Sequence, residues 1–377
     1  MSELLEPKTK KPNMRRNRGI QQHLQQGVLW AGGVEWIDTT RIKISSNTYN
    51  FIDLFSGCGG ITCGFVQAGF SPVLGIEVDP ATSSTYRHNF PNSIHIEGKV
   101  EEVDTVTVRS LLHDKVVHIV CAGFPCPGFS VAGQRIVNDS RNVLYKQVIR
   151  FTRELEPWFV VMENVPGFVT LNNGSYLENI VKEFSDIGYT VTAQILESAS
   201  FGVPQFRPRT IMIGNRFGFP NPYPKPILDE ESYVSADSAI KDLKETPRNP
   251  LINHEWTRHS EEMMKRIEQV QPGGSLYKSY FDAWKRQYPG VPSMTIKDNH
   301  GGTHIHPELN RVISAREAAR LQSFPDSFLF SGTMKRAYFQ IGNAVPPLLA
   351  KHVALALRPF LDRIADTKEE TNNDQQD

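Results

Sequence analysis

Apolar residues along the chain fall in short runs separated by stretches of helical spacing. Tyr49–Phe55 is one such run and ends at a glycine-rich turn; Pro72–Ile76, Val116–Val120, Phe159–Met162, Thr190–Ile195 and Thr210–Gly214 are others. Each has the length and β-branched content of a buried strand. Ile61–Ala68, closed by Gly69, suits a helix, as do Asn142–Leu155 and Leu177–Asp186. Strands alternating with helices predict an α/β fold, a doubly wound and mostly parallel sheet covered on both faces. The rhythm stops after Gly214. From Phe217 to His306 prolines, glycines and scattered aromatics dominate, and helical spacing returns at Ser314–Leu321 and Leu348–Leu361. The expected organisation is an extension over 1–49, a catalytic cofactor-binding domain over 50–216, a small irregular target-recognition domain over 217–335, a return to the first domain over 336–362 and a frayed tail over 363–377. No internal repeat is visible.

Charge narrows the field only partly. Lysine plus arginine equals 41 and aspartate plus glutamate equals 41, so the net charge is zero. A uniformly basic nucleic-acid coat is excluded, but a basic cleft is not. Lys8, Lys10, Lys11, Arg15, Arg16 and Arg18 face only Glu3 and Glu6 in the first 18 residues, which reads as a basic arm. Its expected role is solubilising, with weak attraction to DNA as the lesser reading. No apolar run reaches membrane-spanning length and the start lacks a secretory pattern, so the expected compartment is the cytoplasm. Four cysteines in 377 residues do not make a disulfide framework.

The turn Asp53-Leu-Phe-Ser-Gly-Cys-Gly-Gly60 follows a strand and opens a helix, where glycines admit a ligand close to the backbone and free amides await it. Glu77 stands at the tip of the next strand, placed to accept both ribose hydroxyls of an adenosine. The pattern is not the fuller dinucleotide fingerprint. Acidic Asp53 disfavours a pyrophosphate there and welcomes a sulfonium and an amino group, which favours S-adenosylmethionine over NAD.

Cys121-Ala-Gly-Phe-Pro-Cys-Pro-Gly-Phe-Ser130 leaves a strand directly into a loop, with Cys126 framed by Pro125 and Pro127. Arg135 and Arg141 follow, and positive surroundings make a thiolate more available. Arg207 and Arg209 alternate with Phe206 and Pro208, so an extended segment puts both guanidiniums on one face; a structural role for Arg207 stays open. Cys58, Cys63, Cys121 and Cys126 share a spacing that a zinc site could use, but their places at a turn and in a strand argue for packing, and no metal is expected.

Phe124-Pro-Cys126, Glu163-Asn-Val165, Gln205-Phe-Arg-Pro-Arg209, Arg316 to Asp326 and Gln340-Ile-Gly-Asn-Ala-Val-Pro-Pro347 together resemble the signatures of the DNA (cytosine-5)-methyltransferases of bacterial restriction-modification systems, in the same order and over about residues 50–360. The resemblance implies that Cys126 adds to carbon 6 of a flipped-out cytosine. Glu163 serves ring nitrogen 3 as an acid, Arg209 holds the carbonyl oxygen at position 2 and Arg207 assists. Carbon 5 then attacks the sulfonium methyl of S-adenosylmethionine, and loss of the carbon-5 proton expels the thiol. The implied cofactor neighbours are Phe55, Gly57, Gly59, Glu77, Val78, Val100, Pro125, Leu144, Asn343 and Ala344. Three departures stand out: Lys99 where many members carry an adenine-contacting aspartate, Val78 for a frequent aromatic, and Pro127 for a frequent glutamine.

The implied substrate is double-stranded DNA, with Ser130, Arg135, Lys285, Arg286, Lys297 and Asn299 expected to contact it. A monomer working beside a companion restriction endonuclease is the expected setting. Rival readings are a transfer-RNA cytosine methyltransferase, disfavoured by the lack of a Cys-Phe-Thr signature, a catalytically silent DNA-binding regulator, and an NAD oxidoreductase.

Overall fold

The computed structural model describes residues 33–113, 115–125, 144–277, 284–297 and 304–373, with side chains as far as Lys368. Its centre is a seven-stranded sheet built from β2 (Asn50–Leu54), β3 (Ser71–Glu77), β4 (Ile94–Glu97), β5 (Ile119–Ala122), β6 (Phe159–Asn164), β7 (Thr190–Glu197) and β8 (Pro208–Asn215), in the order β4-β3-β2-β5-β6-β8-β7. Strands β2 to β6 pair parallel, whereas β8 runs antiparallel to both β6 and β7. Only the short stretch 198–207 joins β7 to β8, too little for the helical crossover a parallel pair needs.

Period-two alternation builds the two faces. Ile52 and Leu54 point into one apolar layer, beneath α3 (Thr105–Leu112), α4 (Tyr145–Leu155) and α5 (Ser175–Ser185). Phe51 points into the other, where α1 (Gly60–Gln67) lies against α10 (Pro347–Asn373). Helix α2 (Pro80–Asn89) connects β3 to β4.

The structure moves several elements. Strand β5 begins at Ile119 rather than at Val116, which is 55% exposed. Strand β4, half-buried along its length, has no apolar run to reveal it. A separate parallel pair joins β1 (Val34–Ile37) to β9 (Asn221–Pro224). The prolines at 222 and 224 lack an N–H, so pairing falls to the residues around them: Asn221 donates to Gly33 O and Lys225 to Ile37 O. The tail expected to fray from 363 is helical to Asn373. Arg363 lies over the Phe219 ring at 4.2 Å and Lys368 over the Trp158 ring at 4.6 Å, contacts that hold this helix against aromatic surface.

Beyond β9 the chain is irregular, with short helices α6 (Ala236–Ile240) and α7 (Glu261–Glu268) before α8 (Ala315–Leu321) and α9 (Met334–Asn343). Ser314 caps α8 in a reciprocal box with Glu317. One apolar cluster joins Tyr86 and Phe90 of the sheet region and its helices to Ala236, Ile240, Ile296, Ile313 and Phe324. The irregular segment therefore shares a core with the sheet region. Among the described residues no helix is long and apolar enough to cross a membrane.

Candidate active site

The end of β2 turns sharply. Phe55 and Gly57 adopt φ of 57° and 55°, and Gly59, at 96°, precedes α1. A side chain at Gly60 would meet the Val345 carbonyl at 2.3 Å and the Ala344 side chain at 3.2 Å, so Ala344 and Val345 lie directly against the start of α1. At Gly57 the space is open. Glu77, at the end of neighbouring β3, accepts the Gly57 N–H at 3.0 Å and the Asp79 N–H at 2.8 Å, one on each carboxylate oxygen. It thereby braces the turn, and each oxygen keeps a lone pair for a ligand.

Phe55, Val100 and Leu144 belong to one apolar cluster nearby. Val78 is 55% exposed, and Pro125 and Asn343 are exposed as well, with Ala344 half-buried behind Asn343. Lys99 pairs with Glu102 at the surface. Asp53 departs from expectation. Its carboxylate is buried, accepts the Thr62 hydroxyl at 2.6 Å, and burial pushes its pKa up to about 7. At neutral pH it is therefore no full negative charge for a sulfonium.

The second half of the site stands on β6 and β8. Antiparallel register sets Glu163 opposite Ile211, and Arg209, two residues before Ile211, shares their face. Arg209 Nε donates to Glu163 Oε1 at 2.8 Å, with both side chains nearly buried. Glu163 Oε2 lies 3.7 Å from where a side chain would start at Gly123, and Asn164 donates to the Phe124 carbonyl at 3.2 Å. Glu163 is thus held beside the chain that leads directly into Cys126. Burial pushes the Glu163 carboxyl above the usual range; Arg209 and Arg207 pull the other way without reversing it. Cys126, Ser130, Arg135 and Asn299 lie outside the described residues.

Two sequence assignments need correction. Arg207 is not placed to touch a substrate: its guanidinium donates to the carbonyls of Ile296 (2.7 Å), Gly342 (2.7 Å) and Ala344 (3.0 Å). It ties the entry of β8 to the end of α9. Arg286 is not available to DNA phosphates either. Nε, Nη1 and Nη2 donate to the carbonyls of Val270, His306, Leu309 and Ile267 and to Asn310 Oδ1, and the residue is 5% exposed. Lys285 and Lys297 are half-buried.

Cys58, Cys63 and Cys121 are buried free thiols, and burial pushes Cys63 up to about 12. Glu197 is a carboxylate the sequence reading missed. It closes β7, accepts the Arg207 N–H at 2.7 Å, and burial pushes its pKa up to about 7. Only the later half of its setting, the Gln-Phe-Arg-Pro-Arg block, was visible in the sequence.

The chain is similar to known proteins over most of its length. The profile of the C-5 cytosine-specific DNA methylases matches residues 49–358. The chain belongs to this family. The Type II methyltransferase M1.HphI of Haemophilus parahaemolyticus is 36% identical over 320 residues, covering 81% of this chain and 86% of that protein. M.DdeI of Desulfomicrobium norvegicum is 34% identical over 376 residues, covering 84% and 90%. Among solved structures, a putative DNA modification methyltransferase encoded within a prophage of E. coli superposes with a TM-score of 0.71 at 26% identity, over 83% of this chain and 99% of that one. This cytosine-5 DNA methylase is thus of restriction-modification type, with a mostly parallel sheet at its centre.

Proposed function

We propose that this methylase transfers the methyl group of S-adenosylmethionine to carbon 5 of a flipped-out cytosine in a specific duplex sequence, through an adduct on Cys126. The observation that carries this reading is the buried Glu163–Arg209 pair at 2.8 Å, aimed at the chain entering Cys126.

The residues at the glycine turn fit the cofactor. Gly57 leaves open space, Glu77 keeps lone pairs for ribose hydroxyls, and Ala344, next to Asn343 in the chain, lies against Gly60. Phe55, Val78, Val100, Pro125 and Leu144 complete the set assigned to it. Bound there, S-adenosylmethionine supplies an electrophilic methyl group.

The Cys126 thiolate adds to carbon 6, which makes carbon 5 electron-rich. Glu163, whose carboxyl burial pushes above the usual range, gives a proton to ring nitrogen 3 as the enamine forms. Arg209 faces the oxygen at position 2, where negative charge grows. Adding the thiolate requires the base to leave the stack, at a cost of a few kcal/mol that contacts to the duplex offset. We assign those contacts to the segment 217–335, with Lys285 and Lys297 among them. Ser130, Arg135 and Asn299 carry the same assignment from the sequence. Protection of host DNA from a companion endonuclease is the setting the Type II relatives suggest, with the protein acting as a monomer in the cytoplasm.

The test is transfer of labelled methyl from S-adenosylmethionine to duplex DNA, single-stranded RNA and no nucleic acid. Label is expected in 5-methylcytosine of the duplex alone. Label in RNA, or in adenine, contradicts the reading.

A further inference from the structure

One buried guanidinium joins regions to which the reaction assigns separate tasks. Arg207 is 2% exposed and stands two residues before Arg209, the partner of Glu163. Its Nη1 donates to the Ile296 carbonyl at 2.7 Å, within the segment assigned to the duplex and next in the chain to Lys297. Its Nη2 donates to the carbonyls of Gly342 at 2.7 Å and Ala344 at 3.0 Å. Ala344 is the residue whose side chain lies against Gly60, at the start of α1.

The duplex side of this joint is held by main-chain pairing. Gln205 and Ser293 form a parallel bridge, in which the Ser293 N–H donates to Pro204 O and the Phe206 N–H to Ser293 O, each at 2.9 Å. The Thr295 hydroxyl donates to the Phe206 carbonyl at 2.6 Å, and the Ile296 N–H to Gln205 Oε1 at 2.8 Å. Ile296 is therefore gripped at both backbone groups, its N–H by Gln205 and its carbonyl by Arg207. A guanidinium is planar and keeps its donors in a fixed fork, so a carbonyl held by one nitrogen sets the direction in which the other points.

We propose that Arg207 is a positioning residue that couples the cofactor site to the duplex site. The proposal rests on the reading of Ala344 as a cofactor neighbour and of Lys297 as a duplex contact. With the cofactor against Ala344, the carbonyls of Gly342 and Ala344 are fixed and fix the fork. The fork then holds Ile296, and with it the adjoining Lys297, in place for the duplex. Order imposed by the first ligand is order the second need not impose, so each tightens the other by one and the same factor, about tenfold.

The experiment titrates S-adenosylhomocysteine, which has no methyl group to transfer, and a duplex carrying the methylated sequence in its unmodified form. Each is added to the full-length protein alone and in the presence of the other. Wild type should bind each about tenfold more tightly when the other is bound. Arg207→Lys keeps the charge, but a single ammonium cannot span carbonyls on both sides, so the factor should fall to near one. A purely structural brace would lower the melting temperature and both affinities and leave the factor as in wild type; that result overturns the proposal. Should Arg207→Lys fail to fold, wild type decides: amide hydrogen exchange across 293–297 should slow on adding S-adenosylhomocysteine without DNA, and unchanged exchange there overturns the proposal. Lys297→Ala should weaken the duplex. If duplex affinity is unmoved by it, the reading beneath the proposal fails and the proposal with it, a result separate from an unchanged factor in Arg207→Lys.

Discussion

A carboxyl that must give up a proton at neutral pH needs an environment that disfavours its charge. Glu163 has one in the apolar end of β6, although Arg209 at 2.8 Å favours the ionised form. Replacing Glu163 with glutamine keeps the volume and a hydrogen bond but removes the transferable proton, so the chemical step should slow by about 100-fold or more. Glu77 acts elsewhere, on the glycine turn to which the proposed function assigns the cofactor. Glu77→Ala should weaken S-adenosylmethionine binding, measured calorimetrically, and leave the saturated rate nearer wild type. An inverted pattern, with Glu163 altering only cofactor affinity, contradicts both assignments. At this scale the sequence singles out Glu163 and Arg209 by their motifs, and the folded chain adds that the two pair with each other. The sequence could not show what a guanidinium spends its donors on. Arg207 and Arg286 look like free cations in sequence and are consumed by carbonyls that only the folded chain brings near.

Arg286 belongs as much to its surroundings as to itself. It gathers carbonyls from α7 and the strand-poor region after it, and without its fork those buried acceptors lose their partner at about 1–3 kcal/mol each. Arg286→Lys retains the charge but cannot span the carbonyls, so its melting temperature should drop while the salt dependence of DNA binding stays as in wild type. Lys285→Ala should instead make that dependence shallower by about one ion. A stable Arg286→Lys protein with weakened DNA binding contradicts the structural role. Elements were legible where apolar runs mark a strand buried on both faces, as for β6 and β8. They were not where edge position or proline hides the pattern. Strand β4 is half-buried, β9 is half proline, and the last helix looks polar because cations cover its aromatic neighbours.

At the scale of the whole molecule, the net charge is zero and the proposed function assigns target choice to the segment without strand–helix rhythm. Exchanging residues 217–300 for the corresponding segment of a relative with another target should transfer sequence preference, read by bisulfite sequencing, and retain cofactor binding. Ala236, Ile240 and Ile296 pack into the cluster shared with Tyr86 and Phe90, so the exchange must keep their volumes to fold. A folded chimera that still methylates the original sequence would place recognition elsewhere. That shared core was hidden from the sequence reading, which expected a separate domain at Phe217, because loss of periodicity signals irregular backbone and says nothing of what it packs against.

The covalent step is the claim on which the rest depends. Duplex DNA with 5-fluorocytosine at the target, incubated with the full-length protein and S-adenosylmethionine, should yield a denaturation-resistant complex, because fluorine cannot leave as a cation. Peptide mass spectrometry should place the modified cytosine on Cys126, and Cys126→Ser should form none. A complex mapped to Cys58, Cys63 or Cys121, or methylation of ordinary cytosine by a folded Cys126→Ser protein, would contradict the account.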